Sequence, residues 1–141
     1  MEFREITTKD EFRRAFHIMS QLRPHLNMEE YLRMLEKMVS DGYRMFGLYD
    51  SDELRALAGT IILTNFYYGK HLWIYDLVTD KEYRSAGYGE ELLDHLEKFA
   101  LSNNCEIIAL SSGLKREAAH RFYDQKAGFN RVSYVFKKEM M

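Results

Sequence analysis

The period of the hydrophobic positions changes twice along the chain, and each change predicts a change of element. Glu2 to Ile6 alternates as a short strand does. Thr7 or Thr8 can cap a helix, with Glu11 three residues after Thr8 at the spacing of a capping box, and Phe12, Ala15, Phe16, Met19 and Leu22 then recur as one helical face. That helix ends before Pro24, because the residue preceding a proline is pushed out of the helical region. Asn27 caps a second helix whose apolar stripe is Tyr31, Leu32, Leu35, Met38 and Val39, and Asp41-Gly42 stops it.

From Tyr43 the chain reads as strands. Tyr43 to Tyr49 and Leu54 to Leu63 flank the turn residues Asp50 to Glu53, and Leu72 to Thr79 follows a polar, glycine-containing stretch from Asn65 to Lys70. Helical spacing returns at Gly87 to Ser102, where Leu92, Leu93, Leu96, Phe99 and Ala100 oppose acidic positions, and Asn103-Asn104 ends it. A short strand from Glu106 to Leu110, a helix from Lys115 to Ala127 with Gly128 at its end, and a closing strand from Val132 to Lys137 complete the order β-α-α-β-β-β-α-β-α-β. This is an α/β chain: an antiparallel meander feeding, through a crossover helix, a parallel partner strand.

Composition narrows the class. A chain of 141 residues with 46% hydrophobic residues fits a single domain with a closed core, here residues 1–141. One cysteine, Cys105, forms no internal disulfide and reads as a buried filler, which suits a reducing, cytoplasmic setting. The chain opens without an apolar leader and has no run of 18 apolar residues, so neither export nor a membrane partner is expected. A formal charge of −2 supplies no basic field for nucleic acid. The five histidines lack metal-binding spacing, and no metal is implied.

The informative junction runs from Asp76 to Glu91. Arg84-Ser85-Ala86-Gly87-Tyr88-Gly89 joins an apolar strand to a helix, where glycines permit a tight turn and the unpaired N–H groups of the first helical turn favour an anion. Read alone, the glycines could equally serve the turn only. No Lys-Ser or Lys-Thr follows them, which excludes a P-loop, and Leu92 stands where a dinucleotide fingerprint needs its third glycine.

The loop does match R-x-x-G-x-G, and Ala119-His120-Arg121-Phe122-Tyr123-Asp124-Gln125-Lys126-Ala127-Gly128-Phe129 resembles A-x-x-F-Y-x-x-x-G-F, with four residues rather than three between Tyr123 and Gly128. With these two signatures in order, the chain resembles the GNAT superfamily of N-acetyltransferases from Phe3 to Lys138. The resemblance implies a mixed, mostly antiparallel central sheet flanked by helices, and acetyl-coenzyme A as cosubstrate. It implies that Arg84, Ser85, Ala86, Gly87, Tyr88 and Gly89 surround the pyrophosphate. The backbones of Leu77 and Thr79 would pair with pantetheine, and N–H groups near Leu77 and Val78 would polarise the thioester carbonyl. Tyr123 would protonate the leaving thiolate; as a residue of a helical face it reads equally as core.

The attacking amine must be neutral, and an alkylammonium with a pKa near 10.4 needs a carboxylate close by to remove its proton. Relatives carry an acid in the strand before the loop or one place earlier, and that earlier place is Tyr75 here. Asp76 remains, as general base, as one end of a water relay or as a structural anchor; simple strand parity puts it on the face of Ile74 and Val78 unless a bulge intervenes. The family's acceptor groove is walled by the first two helices and the Arg23–Asn27 connection, with Tyr31, Tyr67, Tyr68 and Trp73 as aromatic candidates for its lining. The expected acceptor is a primary amine of a small molecule or peptide, attacking directly in a ternary complex. A second reading is a cofactor-binding module that has lost efficient chemistry, motivated by Tyr75. The edge near Val132 to Phe136 and the terminal Met140 and Met141 offer a homodimer contact.

Overall fold

A computed structural model describes residues 1–141, which fall into two compact units, Met1–Leu110 and Ser111–Met141. The first unit contains β1 (Glu2–Ile6), α1 (Lys9–Leu22), α2 (Met28–Ser40), β2 (Arg44–Asp50), β3 (Glu53–Asn65), β4 (Gly69–Thr79), α3 (Tyr88–Ser102) and β5 (Ile107–Leu110). The sheet order is β1-β2-β3-β4-β5, antiparallel throughout except for the parallel pair β4–β5. None of the helices is long and apolar enough to cross a membrane.

Local chemistry sets the element ends. The Thr8 hydroxyl accepts from the Glu11 N–H at 3.1 Å while Glu11 Oε1 accepts from the Thr8 N–H at 3.0 Å, a complete capping box. The Asn27 side chain accepts from the Glu30 N–H at 2.8 Å and starts α2. Between β2 and β3 both central turn residues, Ser51 and Asp52, have positive φ, which gives the two-residue hairpin a twist matching its strands.

The sheet buries both faces. Met45, Leu57 and Val78 join Ile6, Ala15, Ile18 and Met19 with Tyr31 and Leu35 in the core beneath α1 and α2. On the opposite face Phe46 packs against Phe99 of α3 at 4.8 Å between ring centroids. A fully buried side chain such as Leu57 contributes on the order of 1.5–3 kcal/mol.

In the second unit, α4 (Glu117–Arg121) runs into a π-helical turn at Phe122–Lys126, so the continuous helix expected from Lys115 to Ala127 is shorter and widens midway. Gly128, with φ of 76°, ends it as expected. The closing strand expected at Val132–Lys137 is absent: the sheet has five strands, and Val132, Tyr134, Val135 and Phe136 are exposed. Alternating apolar residues fit a strand, but a strand exists only as part of a ladder, and that segment joins none.

Candidate active site

Two features of β4 prepare the site. β5 pairs with β4 only from His71 to Ile74, so Tyr75–Thr79 have no strand on the side away from β3 and their backbone groups on that edge have no ladder partner. β4 also carries a bulge. Gly59 of β3 opposes Asp76, Thr60 opposes Ile74, and Tyr75 has no partner. Opposed residues share a face, so Asp76 lies on the α1–α2 side with Val78 while Ile74 lies on the other. The bulge overrides the simple parity that put Asp76 and Ile74 together.

Asp76 is buried, and each of its carboxylate oxygens accepts a hydrogen bond. Arg23, just past the end of α1, donates Nε to Asp76 Oδ1 at 3.1 Å and Nη2 to the Tyr75 carbonyl at 2.8 Å. The Tyr43 hydroxyl donates to Asp76 Oδ2 at 2.8 Å. Gly59 leaves the room for this group, because a Cβ there would overlap both the Tyr43 hydroxyl and the Asp76 carboxylate. Burial, then the neighbouring Asp76 charge, pushes the Tyr43 phenol well above its ordinary pKa and keeps it a donor. Burial does the same to Tyr31, whose hydroxyl donates to the Phe12 carbonyl at 2.8 Å.

This cluster closes one end of a cleft of about 270 Å³ between α1, α2 and β4, lined by Met19, Arg23, His25, Leu26, Tyr31, Met34, Leu35, Met38, Tyr43 and Asp76. Of the aromatic candidates for the lining, Tyr31 is there. Tyr67, Tyr68 and Trp73 are not; Tyr67 and Tyr68 sit edge-to-face in the β3–β4 turn.

At the far end of β4, Lys81–Tyr83 form a 3₁₀ turn and Arg84, Ser85, Ala86 and Gly87 an exposed loop into α3. Ser85 and Gly87 have positive φ, 66° and 85°, and Gly87 is the N-cap with no side-chain hydrogen bond. The N–H groups of Tyr88, Gly89 and Glu90 therefore have no acceptor within the helix, and the loop ends in an uncapped, positively polarised terminus. The loop is held from behind. Tyr88 donates its hydroxyl to Asp50 Oδ2 at 2.9 Å, and the Arg55 guanidinium lies 3.7 Å over the Tyr83 ring. Asp80, also buried, accepts from Gln21 and from the Glu82 N–H, while Gln21 accepts from the Lys81 N–H, which ties α1 to the start of the loop. Leu77 and Thr79 are half-buried, and the Val78 side chain belongs to the core, leaving only its backbone for a ligand.

In the second unit Tyr123 is buried in the π-helical turn, its ring edge-on to Phe122 and Phe129 at 5.5 and 5.6 Å. The turn widens where the Ala127 N–H reaches the Phe122 carbonyl, five residues back, at 3.0 Å. Burial pushes the Tyr123 phenol up, partly opposed by Arg116, so it carries its proton throughout the neutral range. Burial also raises the Cys105 thiol, in line with its reading as a filler.

Residues 6–129 match the family model described as "Acetyltransferase (GNAT) family". The chain belongs to the GNAT acetyltransferase family. It is 42% identical over 139 residues to an uncharacterized N-acetyltransferase, YhdJ, of Bacillus subtilis (strain 168), covering 98% of each chain. Among solved structures it resembles AAC(6')-Iy in complex with the bisubstrate analogue CoA-S-monomethyl-acetylneamine, at a TM-score of 0.83 with 14% identity over 99% of this chain and 97% of that one. It also resembles glucosamine-6-phosphate N-acetyltransferase from Arabidopsis thaliana, at 0.74 and 22% over 99% and 98%. At these identities the structural likenesses concern the fold. As a GNAT member the chain is an acetyl-coenzyme A-dependent N-acetyltransferase, and its five-stranded, mostly antiparallel sheet with flanking helices is the expected GNAT type.

Arg23 and Tyr43 were not legible as partners of Asp76. Arg23 could be assigned to the groove wall through the family resemblance, but Tyr43 reads only as the first residue of a strand. The missing signal was the unpaired Tyr75, which sets the facing of Asp76 and is visible only once the register is known.

Proposed function

We propose that the protein transfers the acetyl group of acetyl-coenzyme A to a primary amine of a small molecule or peptide by direct attack in a ternary complex. The observation that carries this is the uncapped start of α3 behind Arg84–Gly89, a ready anion site in a chain of this family. Its N–H groups and Arg84 take the diphosphate. The free edge of β4 at Leu77, Val78 and Thr79 takes the pantetheine arm and supplies N–H groups to the carbonyl oxygen as charge develops there.

In the reaction a C–N bond forms between amine and carbonyl carbon, the C–S bond breaks, and the electron pair leaves with sulfur. Tyr123 gives its proton to that thiolate; its assignment rests on its place in a segment resembling the F-Y-x-x-x-G-F signature, one residue longer here, and on a phenol that burial keeps protonated. Asp76 meets the acceptor ammonium and takes one proton, directly or through water, since each carboxylate oxygen keeps a further lone pair beside its present hydrogen bond; after the C–N bond forms, the nitrogen's second proton restores the Tyr123 phenol through solvent. A thiol-release assay over an amine panel, run beside calorimetric titration with acetyl-coenzyme A, tests the reading.

One observation favours a second reading. Asp76 is already paired with Arg23 and Tyr43, and Tyr75 occupies the neighbouring acidic place, which suits a cofactor-binding module without efficient turnover. Tight acetyl-coenzyme A binding with no thiol release across the panel would select it.

A further inference from the structure

Resting on the acetyltransferase reading, we propose that the acceptor is a small primary monoamine on an apolar stem, aliphatic or aryl, and that polycations are excluded. The argument is the chemistry of the cleft between α1 and α2. Its body is Met19, Met34, Leu35 and Met38 with Leu26, and methionines, unbranched and polarizable, adapt to apolar groups of varied shape. Its one carboxylate, Asp76, stands beside the tyrosine hydroxyl of Tyr43 and can accept one ammonium group.

That carboxylate brings no net charge. Arg23 already pairs with it at 3.1 Å, and the only other titratable groups of the lining are His25 and the protonated phenols of Tyr31 and Tyr43. A second or third ammonium would enter an apolar wall without a partner, which is costly. Size acts in the same direction. About 270 Å³ lies below the roughly 300–1,000 Å³ of pockets that hold drug-sized ligands, so the apolar part of the cleft suits a small stem.

The test uses the full chain at saturating acetyl-coenzyme A, reading thiol release with ethylamine, butylamine, hexylamine and phenethylamine against spermidine and kanamycin. The proposal expects kcat/KM to rise about fourfold per added methylene until the cleft is filled. Hexylamine or phenethylamine should exceed spermidine at least tenfold. Met34 lies on the cleft and is half exposed, so Met34→Glu adds an unpaired carboxylate there without opening the core; the ratio of hexylamine to spermidine should fall at least tenfold. Preference for spermidine or kanamycin, or indifference to chain length, overturns the proposal while leaving the acetyltransferase reading intact. Bound acetyl-coenzyme A with no release from any apolar amine overturns it too. No binding of acetyl-coenzyme A by calorimetry removes both.

Discussion

The Tyr43 hydroxyl reaches the Asp76 carboxylate at 2.8 Å across a position, Gly59, where no side chain fits. The contact joins the start of β2 to the bulge of β4 through the middle of β3, and it exists because Tyr75 is left without a partner. Four expected outcomes follow from this geometry and from the burial of Tyr31, Tyr43 and Tyr123.

Gly59→Ala forces a methyl group into the Tyr43 hydroxyl and the Asp76 carboxylate. Overpacking of this kind costs about 1–3 kcal/mol. Urea unfolding should show a lower midpoint with unchanged slope, together with reduced kcat. An unaltered midpoint would mean that the contact is looser than described.

Asp76→Asn separates base from anchor. The amide still accepts from Arg23 and can donate to the Tyr43 oxygen, so the fold should survive, while proton removal should not. A base predicts kcat lower by about 10²–10⁴ with acetyl-coenzyme A affinity within twofold. A loss confined to thermal stability, with kcat retained, assigns Asp76 to the anchor.

Tyr123→Phe keeps the ring and its contacts with Phe122 and Phe129 and removes only the donor. Turnover should fall by about 10²-fold or more while cofactor affinity stays nearly constant. In the parent enzyme, burial raises the phenol, so loss of its proton should limit kcat only above the ordinary tyrosine range near 10. An alkaline limb that persists unchanged in the variant removes Tyr123 from the acid role.

Stability at high pH should follow the same burial. Tyr31, Tyr43 and Tyr123 all have folded pKa values raised above those of the unfolded chain, so the folded state holds more protons once the unfolded phenols titrate. Their contribution is complete below about pH 10 and is lost as pH rises beyond it. Denaturant midpoints measured from pH 8 to pH 11 should be insensitive to these groups at first and then fall. Tyr43→Phe, less stable at neutral pH by about 1–2 kcal/mol for its lost hydrogen bond, should show a shallower alkaline decline.

The elements of the first unit were legible because their signals are local. Thr8 with Glu11, Asn27, and the Asn103-Asn104 stop each act within one helical turn, and the structure places α1, α2 and α3 within a residue or two of the expected ends. The glycine loop was legible for the same reason: Gly87 needs its left-handed conformation whatever surrounds it. Val132–Lys137 was misjudged because alternation measures only a residue's fitness for a strand. The π-helical turn at Tyr123 has no periodic signature of its own.

The sequence by itself determined the order of elements from β1 to α4, the family and the glycine turn that opens α3, all properties carried by residues within a few positions of each other. Only the tertiary structure decided which face Asp76 occupies, that Arg23 and Tyr43 hold it, and that the cleft beside it is apolar and without net charge. Strand register makes that division. A single unpaired residue turns the side chains beyond it to the other face, and its position is fixed by the partner strand, not by the residues around it.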